Sequence, residues 1–211
     1  MEAFKDLLHV HHQGVLCVCI ASVITDHLED KYPDMTLDGL SARLSDEVWN
    51  HYKRWCRQSR KSSASHRFNL ARFGRERWVG YPELSNVYKA AVVKDMAAWA
   101  RDYLWKNMGQ DDQSRTRAYC MHSFCMFQYM VDEGGEFFTL RDARRTADYL
   151  RMFLLFYQKL AANNRAAGHH VNYKVTPKFH SSVHLAASVE ESHRSPKLLD
   201  NLFSKFLVFD R

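Results

Sequence analysis

The run Val15-Leu16-Cys17-Val18-Cys19-Ile20-Ala21-Ser22-Val23-Ile24 constrains the fold more than any other stretch of the chain. As a helix it is apolar on every side, and a helix tolerates that only when other elements surround it. A segment from about Lys5 to Asp30 is therefore expected to be the central helix. A buried strand is the alternative, because β-branched residues are frequent in the run and periodicity does not separate the two. Glu2 and Asp6 precede the run with only Lys5 as positive charge, which argues against a signal-peptide core, and no stretch reaches membrane length.

Apolar residues recurring three or four apart predict the helices that surround it. Leu37, Leu40, Leu44, Val48, Tyr52 and Trp55 mark one, ending near Cys56 and capped by Thr36 or Asp38. Leu84, Tyr88, Val92, Met96, Trp99 and Tyr103 mark the next, which ends near Gly109. Cys120, Phe124, Phe127 and Val131 mark another, capped by Asp112 or Ser114 and stopped by Gly134-Gly135. Leu140 to Ala161 shows the strictest alternation, with Thr139 as cap, Asp142 at the capping-box position and Gly168 as stop. Thr176 and Pro177 open a further helix that closes at Glu190 and Glu191, and Pro196 to Arg211 is apolar enough to dock as a short one. The fold class expected is mostly α: a single irregular domain over residues 1–211, with five to seven helices and a long basic loop.

Composition agrees with that class. The chain has 211 residues, 46% of them hydrophobic, with only 8 Gly and 4 Pro, which favours helices over hairpins and turns. Its five cysteines, Cys17, Cys19, Cys56, Cys120 and Cys125, are odd in number and irregular in spacing, unlike a secreted disulfide scaffold. Reduced thiols and a soluble, intracellular protein are expected.

Charge is concentrated in one place. Lys53, Arg54, Arg57, Arg60, Lys61, Arg67, Arg72, Arg75 and Arg77 face Glu76 alone, a net +8 inside a chain of +6, so the rest carries −2. Such a segment attracts polyanions by releasing condensed counterions, and DNA is the partner it suggests. A solvated loop would read the same way. Phe68, Phe73 and Trp78 alternate with its arginines in a stretch, Phe68 to Val79, expected to run extended across the surface; the pattern suits stacking on single-stranded nucleic acid, but a loop pinned on helices by its aromatics is the commoner reason for it.

His180 and His184 share a helix face at i, i+4, the spacing of a two-histidine metal grip and also of packed, hydrogen-bonded core histidines. A metalloprotein built on them needs a further ligand such as His169, His170 or His9. Cys120-x-His122-x-x-Cys125 holds three potential zinc ligands, but its cysteines fall on the apolar face. Phosphate-binding glycine loops, the nucleophile elbow and His-Glu-x-x-His do not occur.

Three short segments carry a family resemblance. Pro177-Lys178-Phe179-His180 followed by His184 resembles the Pro-Lys-x-His-x-x-x-His stretch of CACTA-like and KDZ-like transposon-derived proteins. Asp6-Leu7-Leu8-His9 with Gly14-Val15 is similar to the segment bearing the second catalytic aspartate of these RNase H-like transposases. Tyr81-Pro82-Glu83-Leu84 with Lys89-Ala90-Ala91 is similar to a Pro-x-Leu-x-x-Lys-Ala segment of such reading frames. The resemblance implies a metal-dependent DNA transposase as parent, using two Mg or Mn ions held by three carboxylates. Asp6 matches one carboxylate. The first is expected upstream of Met1, and no acidic segment with glycine follows Pro196. The chain is thus expected to be a catalytically incomplete fragment or decayed copy, the helical region between two catalytic acids. It would be nuclear, hold no cofactor by itself, and have the missing transposase segments or further copies of itself as partners.

Overall fold

The computed structural model describes residues 14–168 and 170–196. The apolar run forms α1 (Leu16–Lys31), and every residue from Leu16 to Leu28 is buried. A buried run of that length exceeds an ordinary strand, and a helix satisfies its own backbone donors and acceptors without needing partner strands. The part of this helix expected before Gly14 lies outside the described residues.

A turn at Tyr32-Pro33 leads into α2 (Leu37–Arg43), which continues through a π turn (Leu44–Val48) into α3 (Trp49–Gln58). Thr36 caps α2 by accepting a hydrogen bond from the Gly39 N–H at 3.1 Å. Leu40, Leu44, Val48, Tyr52 and Cys56 are all buried. A strict spacing of four drifts around a 3.6-residue helix, and the wider π turn brings it back to one face.

The remaining helices are α4 (Ala90–Lys106), α5 (Asp112–Glu133), α6 (Leu140–Ala166) and α7 (Pro177–Ser192). α5 and α6 pack along each other, α7 lies on α6, and α4 joins α5 to α1. Thr139 accepts from the Asp142 N–H at 3.1 Å and donates to its carboxylate at 2.7 Å, while Gly168 ends α6 with φ +66°. Among the described residues β structure is confined to one isolated bridge, Phe137 with Arg194, which fastens the α5–α6 connection to the end of α7. No described helix is long and apolar enough to cross a membrane.

Four local expectations are corrected. α4 begins at Ala90, not Leu84: Leu84 and Tyr88 are buried, but from a loop whose N–H groups bond Cys17 and Ser85. The cap of α5 is Asp111, which has extended backbone angles and accepts from the Ser114 N–H at 2.7 Å; Asp112 and Ser114 lie inside the first turn. Thr176 occupies the N-cap of α7 without capping it, its hydroxyl being buried with no hydrogen-bond partner among the described residues. Residues 68–79, which the sequence suggests would cross the surface in extended form, fold compactly around a 3-10 turn at Ala71–Phe73. Beyond Pro196 the expected short helix lies outside the described residues.

Aromatic rings explain that last difference. Phe68 is fully buried, with Trp49, Tyr52, Phe73 and Trp99 at centroid distances of 5.0 to 5.7 Å. Such ring pairs stabilise by about 0.5–1.5 kcal/mol each beyond the area they bury. Several together outweigh the tendency of an arginine-rich segment to stay in water.

Candidate functional site

The structure divides the basic stretch into residues that serve the fold and residues that face solvent. Arg75 is fully buried. It donates to Glu29 at 3.0 Å, to the Asn172 side chain at 2.8 Å and to the carbonyls of Val171 and Gly80. Arg72 donates to the Arg67 carbonyl at 2.7 Å, and Arg67 holds Asp46 and the Ser45 carbonyl. Lys61 pairs with Asp95 at 3.1 Å. Arg77 is exposed just past the buried Arg75.

Lys53, Arg54, Arg57 and Arg60 are different. All four are exposed, and no carboxylate among the described residues comes within ion-pair reach of them. Tyr52 and Cys56 turn the other face of α3 inward, so Asn50, Lys53, Arg54 and Arg57 are left on one outer stripe, lining a shallow depression with Trp49. The Lys53 ammonium stands 5.7 Å from the Trp49 ring centre. Arg60 follows in the left-handed region at φ +53°, a position usually given to glycine, while the Lys61 N–H closes the helix end on the Cys56 carbonyl. Phe68 and Phe73 are inside and unavailable for base stacking; Trp78 is half-buried and stacked on His170 at 4.0 Å.

A buried ionic cluster lies at the C-terminal end of α1, where the sequence pattern shows only an apolar helix. Asp26, Glu29 and Asp30 share one face of α1, and Arg117 of α5 meets Asp26 at 2.6 Å and also binds Asp30. Asp26 is 1% exposed and Arg117 2%. Tyr173 donates its hydroxyl to Asp26 at 2.8 Å, Gln113 donates at 3.0 Å, and Asn172 reaches both Asp26 and Glu29. Burial alone would push the Arg117 guanidinium down, but Asp26, Tyr173 and Asp30 hold it above the ordinary arginine value. Burial, with the neighbouring Asp26 adding to it, also raises the Asp30 carboxyl against the lowering effect of Arg117. The oxygens of Asp26 are filled by donors, so this cluster cross-links α1, α5 and the 171–173 segment and leaves that carboxylate no room for a metal ion. Its sequence signal was available in Ser22, Thr25, Asp26 and Glu29, a polar stripe at helical spacing within the buried run.

His180 and His184 are exposed, contrary to the packed-core alternative, and their Nε2 atoms face each other at 2.9 Å. His170 is stacked on Trp78 in a separate cleft near Glu29, while His9, His169 and Asp6 lie outside the described residues. Among the described residues no three His, Cys, Asp or Glu side chains are placed to hold one metal ion. Cys120 and Cys125 are buried, and burial pushes the Cys125 thiol up to about 12, which disfavours the thiolate that zinc would need. Comparison with protein families, with curated proteins and with solved structures returns no match to this chain.

Proposed function

We propose that this chain is a helical nucleic-acid-binding module that holds a phosphate backbone through Lys53, Arg54, Arg57 and Arg60. The observation that carries the reading is their common exposure along α3 and its end, without carboxylate partners among the described residues. From Lys53 to Arg57 α3 advances about 6 Å, and Arg60 follows just past its end. That rise matches about two steps of a duplex strand at its axial spacing of about 3.4 Å. The contact is therefore to backbone and carries little sequence preference.

The reading accords with the resemblance to the helical region of a transposase-like protein, as a fragment that contacts DNA without completing the catalytic carboxylate set. The test is binding of duplex and single-stranded DNA across a salt series. Replacing the four residues by Gln should weaken binding of every sequence alike and flatten the slope of log K against log salt by about 3–4, since each neutralised duplex phosphate contributes about 0.9. An unchanged slope sinks the proposal. Arg75→Gln should instead act through stability, because that side chain is inside.

A further inference from the structure

We propose that His180 and His184 form a two-histidine clip for a divalent transition-metal ion that accepts ligands at right angles, Cu(II) foremost. This inference is independent of the basic face of α3.

Phe179, Ser182, Leu185, Ala186 and Val189 turn one face of α7 inward. His180 and His184 lie opposite that face, in solvent, where an ion can reach them and water can complete its coordination. Their rings stand nearly perpendicular, at 88°, with centroids 4.4 Å apart, so the two Nε2 atoms converge at 2.9 Å. With metal–nitrogen bonds of about 2.0–2.1 Å, that separation sets an N–M–N angle of about 90°. A tetrahedral angle would need the nitrogens about 3.3 Å apart at the same bond lengths. Tetragonal ions, Cu(II) and Ni(II), therefore fit the clip as it stands better than Zn(II), and the general affinity order also places copper first.

In the metal-free pair one imidazole donates its Nε2–H to the Nε2 of the other. Binding requires the donor ring to carry its proton on Nδ1 instead, which exposes both Nε2 lone pairs and leaves both rings neutral. The ion then bridges one turn of α7 from outside and stabilises the folded helix.

The test titrates the full chain with Cu(II), Ni(II) and Zn(II) in turn, followed by copper d–d absorption, electron paramagnetic resonance and thermal unfolding. His180→Asn and His184→Asn are both surface changes and should leave metal-free unfolding unaltered. The expected result is one copper equivalent lost on either single change, no further loss on combining them, and affinity falling from copper to nickel to zinc. At ten times the Kd the wild-type Tm should rise by about 3–6 °C, and neither variant should show the rise. Any copper taken up by histidines elsewhere, His9, His11 and His12 among them, is common to all variants and cancels in the comparison. Equal copper uptake and equal Tm shift in wild type and both variants would overturn the proposal, as would zinc binding more tightly than copper.

Discussion

Arg117→Met probes the ionic cluster with little change in volume. In the native protein the guanidinium stands 2.6 Å from Asp26, and neither side chain is more than 2% exposed. Removing it leaves a buried carboxylate without a counter-charge, a change that typically costs about 3–5 kcal/mol. Asp26 would keep the donors Tyr173, Gln113 and Asn172, each within 3.4 Å. Hydrogen bonds to a charged group contribute about 1.5–3 kcal/mol each, so the lower end of that range is expected. A loss of about 3 kcal/mol is a large part of the 5–15 kcal/mol that ordinarily holds a domain folded. The assay is urea unfolding, where the midpoint should fall with an unchanged slope. Asp26→Asn completes the cycle: it removes the charge but keeps an acceptor for Tyr173, so the double variant should be more stable than additivity allows by about 1–3 kcal/mol. A loss below about 1 kcal/mol for Arg117→Met, or strict additivity in the cycle, would refute the view that this pair is a coupled buried unit.

Acid should destabilise the fold through His27. Burial, with Arg117 and Lys31 adding to it, lowers this imidazole to about 4 from 6.5. The unfolded chain therefore takes up a proton before the folded one does; the contribution is complete above pH 6.5 and is lost as pH falls through about 4. Its ceiling is about 3 kcal/mol, and His27→Leu should flatten the unfolding midpoints between pH 7 and 4.5; an unchanged pH dependence would assign the effect to other groups. Leu154→Ala, in the buried face of α6, should cost about 2–5 kcal/mol through the cavity it leaves. A cost under about 1 kcal/mol in denaturant unfolding would mean that the site collapses.

What the sequence determined by itself was local. Apolar residues three and four apart, Thr36 and Thr139 at helix starts, and Gly168 at a helix stop specify α2, α3 and α6, because those signals act within one or two turns of chain. The Val15–Ile24 run likewise required a helix surrounded on all sides or a buried strand, and its length in the fold decides for the helix. The use of each charge was not local. Arg75 and Arg57 are alike as sequence, yet one is enclosed by Glu29, Asn172 and three carbonyls while the other stands in water. The side-chain partners of Arg75 lie 46 and 97 residues away, and Asp26 finds Arg117 after 91. No periodicity records such separations. The two histidines of α7 follow the same rule: their i, i+4 spacing places them on one face, but only the packing of α7 on α6 decides that this face is the outer one. Secondary structure here follows from short-range sterics and hydrogen bonding, whereas the sorting of charges and histidines between core and surface follows from which helices meet.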